Sequence, residues 1–549
     1  MDRKLSQPEI LDVIFDFVRT LGSDPDHLPW AHGSEAKRDL ASIARTCKTF
    51  RDPALDILWR RQTSLRPALL LFPEDLWVSR ERGKRGFKEF RREIVPSDWE
   101  RPVLYFGRVR CLVIDSYDQS PPDSSYFMAR LEMLKGLLLR CPTSQLFPNL
   151  QQLQWLETWY PTVLPVLETL SAPRLTTMGF SPGWSEDELD ALRNLGNAWP
   201  DLTDIVINHS SRRDFDSAIV AAIHDGIRPL SRLRSFDTAN INAEILLHLS
   251  RLPHLRSLSS YMAGFKFHFH PDVAELSGSV PAFPALEEIS GFISPEILIQ
   301  ILSAMGESRL TSIDAYFFTS EGIELPKIST TTALYTAIAD HCSPSNLTRL
   351  YIEDDWVDAP SDLIPDEFAF GDYAIRPDTL QILKPFTNLT MLTLESFHGF
   401  DIDDATVLNL AQAWTKLEKL SLGCVGPNRS PNFWPHASML SLEYLAFFCR
   451  QLKDLRLLFN ATETRTLSNS FDRYSPQHTL RWLSVDFSPV GEAEGVRQFL
   501  KELFPSLNWV SCEFNQPEDE EEMHIWDAVS KSFSSAADAD EWPQPIVHW

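Results

Sequence analysis

Gly179-Phe180-Ser181-Pro182-Gly183 has the Gly-x-Ser-x-Gly spacing with which hydrolases expose a nucleophilic serine on a strand-to-helix turn. That chemistry needs a backbone N–H on the residue after the serine to hold the oxyanion, and Pro182 has none. The pentad also follows Leu175 and Met178, where a turn out of a strand is expected, and is read as that turn. His268-x-His270 would place two imidazoles on one face of an extended segment, half of a metal site. No third ligand stands at workable spacing, so surface histidines are the reading. The chain has no phosphate-cradling loop, dinucleotide glycine fingerprint or zinc-protease helix. The expectation is a protein that is not an enzyme and holds no cofactor or metal.

A different set of residues recurs with a period. Beyond residue 105 the chain repeats Leu-x-x-Leu-x-hydrophobic, as in Leu202-x-x-Ile205-x-Ile207, Leu347-x-x-Leu350-x-Ile352, Leu389-x-x-Leu392-x-Leu394, Leu417-x-x-Leu420-x-Leu422, Leu452-x-x-Leu455-x-Leu457 and Leu480-x-x-Leu483-x-Val485. Looser copies start at Val109, Leu150, Leu175, Leu233, Leu255, Leu286, Leu310 and Leu507. The mean interval of about 30 residues lies near the upper end of the leucine-rich-repeat range. Each copy implies a strand, and the stretches between imply helices, most clearly Asp403–Trp414, where Ala405, Leu408, Leu410 and Ala411 are expected to face inward. A strand–helix unit cannot bury its apolar face alone, so such units stack into an α/β solenoid, a horseshoe with parallel strands on its concave face. The polar positions of the signature then line the groove. They include Asp314 and Tyr316, Arg349, Tyr351 and Glu353, Thr393 and Glu395, then Trp482 and Asp486. Carboxylates interleaved with aromatic rings suit a protein substrate that is basic and partly apolar. Only Asn460 supplies the asparagine usual after the last leucine position, which predicts irregular bonding between repeats.

Helical spacing rules the N-terminus. Ser6 and Glu9 stand as a capping box with Pro8 in the first turn. Ile10, Val13, Ile14, Phe17, Val18 and Leu21 follow as a stripe expected to face the core. Leu11 and Phe15 fall outside it and form a second, spare strip, a hint of a partner. Leu40, Ile43, Ala44 and Cys47 continue the pattern, and Asp52-Pro53 reads as the start of a third helix through Leu55, Leu58 and Trp59. Three short helices make a marginal core.

The run Pro8-Glu9-Ile10-Leu11 with Ile14-Phe15, then Leu40 to Phe50, then Pro53-Ala54-Leu55 and Leu58-Trp59-Arg60-Arg61 resembles an F-box. It is most similar to the F-box/leucine-rich-repeat proteins numerous in mushroom-forming fungi. That resemblance implies binding to a Skp-type adaptor, and through it to a cullin–RING ubiquitin ligase. It carries adaptor contacts to Pro8, Ile10, Leu11, Ile14, Phe15, Leu40, Ile43, Leu58 and Trp59. The sequence departs from the family at Ser6-Gln7, where Leu-Pro is usual, and in a long segment from Gly22 to Arg38. The alternative is a helical cap on a non-ligase repeat scaffold.

The whole is therefore expected to comprise an F-box-like helical domain over 1–66, a helical linker over 67–105, a repeat solenoid over 106–515 and an acidic, flexible tail over 516–549. The linker carries a basic run, Arg80 to Arg92, read as a nuclear import signal, a phosphate patch or, more simply, a solvated helix face, and Ser97 to Glu100 cap a helix behind it. The final Trp549 could dock back. Residues 1–110 hold 21 Lys and Arg against 17 Asp and Glu, leaving 30 against 59 for the rest. Such acidity disfavours nucleic acid and anionic membrane, since both are held by cations on the protein. Seven cysteines with no Cys-x-x-Cys pair, no leader pattern and no long apolar run predict a cytoplasmic or nuclear protein.

Overall fold

The computed structural model describes residues 7–20, 34–77, 90–114, 136–137, 139–143, 145–155, 167, 174–181, 185–207, 217–238, 241–260, 281–306, 308–318, 328–355, 374–396, 399–424, 435–463, 476–512 and 520–533. Two compact units divide the chain, Met1–Ala239 and Asn240–Trp549.

The first unit opens with three helices, α1 (Pro8–Thr20), α2 (Ser34–Ile43) and α3 (Lys48–Arg60). Their shared core is Leu11, Phe15, Leu40, Ala54 and Ile57, with Val18, Ile43, Ala44, Phe50 and Leu58 packed around it. Phe15 meets Phe50 edge-on at 5.7 Å, the arrangement that the ring quadrupole favours. Of the stripe expected to face the core, Val18 does so, but the rest of the expectation is largely exchanged: Leu11 and Phe15 are buried, while Val13, Ile14 and Phe17 stand exposed at 71%, 40% and 63%. Both strips have helical spacing, and the choice falls to the one whose residues meet α2 and α3. Helix α3 also begins a turn earlier than Asp52-Pro53 implies, and Pro53 lies inside it.

Strand β1 (Arg61–Gln62) follows α3 without a linker and pairs in parallel with β2 (Cys111–Ile114), so the repeats start near residue 61 rather than 106. Over its described residues, 67–77 and 90–105, the expected linker is packed structure. After α4 (Arg66–Leu69), Phe72 gathers Trp77, Trp99 and Phe106 at ring distances of 6.0, 5.0 and 6.1 Å, and α5 (Glu100–Phe106) leads into β2. Arg92 donates to buried Asp98 at 2.7 and 2.8 Å and to Asp75 at 2.8 Å, holding both carboxyls below the usual range, so this end of the basic run is tied into the fold. Residues 80–89 of that run lie outside the described residues. Strands β3 (Gln152–Trp155), β4 (Thr177–Phe180), β5 (Asp204–Ile207) and β6 (Ser235–Thr238) complete this unit, each parallel to its predecessor. Helices α6 (Glu186–Arg193), α7 (Leu195–Ala198) and α8 (Ser217–Ile227) lie between them in sequence. Gly226 is required there, because a Cβ would stand 2.1 Å from the Leu192 carbonyl oxygen.

In the second unit strands β7 (Ser257–Ser260), β8 (Glu288–Phe292), β9 (Ser312–Phe318), β10 (Arg349–Asp355), β11 (Met391–Ser396), β12 (Lys419–Cys424), β13 (Asp454–Leu457), β14 (Trp482–Ser484) and β15 (Trp509–Ser511) pair in parallel in chain order. Helix α9 (Ala243–Ser250) precedes β7, and between the strands run α10 (Pro295–Ala304), α11 (Ile328–His341), α12 (Pro377–Gln381), α13 (Asp404–Ala413), α14 (Met439–Phe448) and α15 (Ala493–Leu503). All fourteen signature starts, from Val109 to Leu507, fall two residues before a strand, and the leucines they name are buried. In α13 the expected inward set is partly corrected: Thr406, Val407, Leu410 and Ala411 are buried, whereas Ala405 is exposed.

Bonding between repeats is more uniform than the missing asparagines imply. The residue before each of β8 to β14 donates its N–H to its counterpart in the preceding repeat: Glu287 to Arg256, Thr311 to Glu287, Thr348 to Thr311, Thr390 to Thr348, Glu418 to Thr390, Lys453 to Glu418 and Arg481 to Lys453, at 2.7–2.9 Å. Thr311, Thr348 and Thr390 add hydroxyl bonds to the same carbonyls at 3.1 Å. Threonine therefore supplies side-chain bonds between repeats where the usual asparagine is missing, and Asn149 and Asn388, just before their signatures, donate to the Gly107 and Ser345 carbonyls at 2.8 and 3.0 Å.

The expected flexible tail is corrected over residues 520–533, the part of it that is described. Helix α16 (Glu520–Ser530) buries Trp526 and Val529 completely. Trp526 Nε1 donates to the Ser488 carbonyl at 2.8 Å, and Ser530 Oγ donates to the Val510 carbonyl at 2.7 Å. This helix covers apolar surface at the β15 end of the second unit, as the terminal repeat of such an array requires. Trp549 lies outside the described residues.

Candidate functional site: one face of the second-unit sheet

Within β9–β14 the leucines and isoleucines of the signature, such as Leu350, Ile352, Leu392, Leu394, Leu420 and Leu422, are buried on one side. The alternate positions turn to the opposite face, since strand side chains alternate. Register aligns the expected residues there. Asp314, Tyr351, Thr393, Ser421 and Arg456 form one row, and Tyr316, Glu353, Glu395 and Gly423 the next. Arg349 and Trp482 share an outer row with Met391, Lys419 and Asp454. Asp486 lies two residues past β14, with a left-handed φ of 47°.

The site has two halves. Around β9 and β10 it is aromatic: Tyr316 and Tyr351 stand 4.9 Å apart between ring centres, and Phe292 meets Tyr316 at 5.5 Å. The Tyr351 hydroxyl donates to Glu353 Oε2, and Asp314 accepts from Ser312 Oγ at 3.3 Å with Arg349 Nη2 at 3.9 Å. Burial first, and then the Glu353 charge, hold the Tyr351 phenol far above its ordinary range, so it stays protonated.

Around β11–β14 it is ionic and closed. Arg456 Nη1 donates to Glu395 Oε2 at 2.5 Å, and its Nε donates to Asp486 Oδ1 at 2.6 Å. Ser421 Oγ donates to Glu395 Oε1 at 2.5 Å, and Ser484 Oγ to Asp486 Oδ1 at 3.2 Å. Arg456 belongs to β13 and Glu395 to β11, so the side chain must pass over β12. Gly423 makes that passage possible, for a Cβ there would stand 2.6 Å from Glu395 Oε2 and 2.7 Å from Arg456 Nε. Burial raises the Glu395 carboxyl; Arg456 and Ser421 pull it back, and Asp486 and Glu353 push it up again.

Sequence reasoning placed nine residues on this face, and three of them, Thr393, Glu395 and Asp486, are buried, the two carboxylates engaged by Arg456. It missed Arg456, Ser421 and Gly423. Their signal was present, because Arg456 holds the same signature position as Tyr351 and Thr393. Thr393 Oγ1 is buried with no hydrogen-bond partner.

The adaptor set divides likewise. Ile14 is exposed and Ile10 half-buried, on the same side of α1 as Val13 and Phe17. Leu11, Phe15 and Leu40 are core residues, and their proposed contact role is corrected on that ground. Ile43 and Leu58 pack against the core, and Trp59 lies 5.0 Å from Tyr105. The side chain of Pro8 is outside the described residues.

Of the rejected chemistry, Gly179 and Phe180 are in β4 and Ser181 is buried just after it; residues 182–183 and both His268 and His270 lie outside the described residues. Among the described residues no cluster of His, Cys, Asp and Glu could hold a metal ion, and no helix is long and apolar enough to cross a membrane. No protein-family model matches the chain, and no curated protein matches it.

Proposed function

We propose that this protein is the substrate-recognition subunit of an SCF-type (Skp–cullin–F-box) ubiquitin ligase in the cytoplasm or nucleus. Its three N-terminal helices bind the adaptor, and its repeats bind a protein substrate on the concave face of a horseshoe. Its contribution is placement of the substrate; the transfer chemistry belongs to other subunits. The observation that carries the reading is the apolar strip of α1, Ile10, Val13, Ile14 and Phe17, turned away from the three-helix core. A helix that only sealed the array would gain nothing from such a strip, whereas a docking helix requires it.

The second reading is a non-ligase repeat scaffold whose helices are a cap. It has an observation in its favour: α3 is fastened to the first repeat. Arg108 donates to the Asp52 carbonyl, the Asp52 carboxylate at 2.7 Å and the Asp56 carboxylate, and Arg110 N–H donates to the Arg60 carbonyl at 2.9 Å. Capture of a Skp-type adaptor from a fungal extract separates the two. A stoichiometric complex supports the ligase subunit; a folded protein that captures none leaves the cap.

A further inference from the structure

We propose that the tyrosine pair of β9 and β10 seats a lysine or arginine side chain of an extended partner segment, with Asp314 and Glu353 neutralising its charge. The inference deepens the reading above, and rests on this face being the one that meets the substrate.

Register makes the arrangement a checkerboard. Asp314 is the direct neighbour of Tyr351, and Tyr316 is the direct neighbour of Glu353. A cation over either ring therefore has a carboxylate on the adjoining strand, one strand spacing away. Ring faces attract cations, and Arg most of all when water is partly excluded. Both tyrosines are half-buried, with their apolar rings held against each other rather than left to rotate.

Charge complementarity fixes the sign of the occupant. Among the described residues of this face the carboxylates Asp314, Glu353, Glu395, Asp454 and Asp486 outnumber the cations Arg349, Lys419 and Arg456. Arg456 is committed deep in the closed half, between Glu395 and Asp486, and lies beyond the tyrosines. It also supplies an internal precedent, a guanidinium laid across the strands and met by carboxylates on both sides. The unpartnered Thr393 hydroxyl is a second, independent pointer. It is 2% exposed and sits in the row between Tyr351 and Ser421, a buried polar group whose bond is left to be made when the row is occupied.

The test uses the full-length protein and a blocked, fluorescent hexapeptide with arginine at two alternate positions, beside its glutamine counterpart, at about 0.15 M salt. The arginine peptide is expected to bind and the glutamine peptide to bind at least about tenfold more weakly. Tyr316→Leu with Glu353→Gln should cost about tenfold, whereas Tyr351→Phe, which keeps the ring, should cost little. Glu186→Gln with Asp187→Asn removes two exposed carboxylates of α6 and serves as the control for diffuse attraction. Equal losses in both double variants, equal binding of the two peptides, or no binding would each overturn the proposal. Thermal midpoints confirm that the variants fold. Adaptor capture is measured in parallel: a protein that takes the adaptor but not the peptide overturns this inference alone, and one that takes the peptide but not the adaptor overturns the ligase reading.

Discussion

Arg456→Met removes a cation shared by Glu395 and Asp486 while keeping a side chain over Gly423. Glu395 is 8% exposed and Asp486 fully buried, so neither carboxylate recovers its lost partner from water. Breaking a buried ion pair from one side costs about 3–5 kcal/mol, because the charge left behind is uncompensated. Two carboxylates share this arginine, which places the expectation at the upper half of that range at neutral pH. The pH dependence gives the sharper test. Glu395 is raised above its ordinary value, by burial first, so folding takes up a proton there. Its site is most stable below the unfolded carboxyl value and loses stability as pH rises through the higher folded one. Without Arg456 the folded value climbs further. The variant's deficit should therefore shrink as pH falls from about 7.5 toward about 5, to less than half. Urea unfolding at the two pH values reads this directly. A deficit below about 1 kcal/mol, or one unchanged with pH, would refute the claim that the guanidinium compensates buried charge.

Trp526→Ala should cost about 3–5 kcal/mol and release α16, read as faster amide exchange in β14 and β15. Leu11→Ala or Phe15→Ala should each destabilise the three-helix core by about 2–5 kcal/mol, read by thermal unfolding of the first unit. Val13→Asp at an exposed position should stay within about 0.5 kcal/mol in the same assay. Thr393→Val removes an unbonded hydroxyl and should leave stability unchanged or raise it by up to about 1 kcal/mol in urea, while weakening the arginine peptide.

The repeat strands were legible because their signal is local. Each needs apolar residues at alternate positions and a turn before them, and all fourteen starts read from sequence precede a strand by two residues. The strand that was missed, β1, lacks the signature: Trp59 and Gln62 stand where leucines would, and the strand is held by α3 and β2 instead. Tertiary choice was not legible. On α1 two apolar strips compete at equal spacing, and only α2 and α3 decide that Leu11 and Phe15 go inside. The acidic composition around residue 520 reads as a tail. Trp526 and Val529 nonetheless share one face of a helix, and two such side chains are enough to dock it on the open end of the repeats. On the sheet face the row itself was legible from alternation. Its closed half was not, because Arg456 reaches Glu395 across an intervening strand, a contact that depends on Gly423 carrying no side chain.

The central claim is that α1 docks an adaptor through Ile10, Val13, Ile14 and Phe17. Changing Leu11 and Phe15 would not test it, since both are core residues and their loss would destabilise the helices whether or not an adaptor binds. The direct measurement is titration of a purified Skp-type adaptor into the wild-type protein and into a Val13→Asp, Ile14→Asp variant, with the thermal midpoint of each recorded. The account predicts a one-to-one complex that the folded variant has lost. A wild-type protein that does not bind, or a variant that binds as well as the wild type, would contradict it.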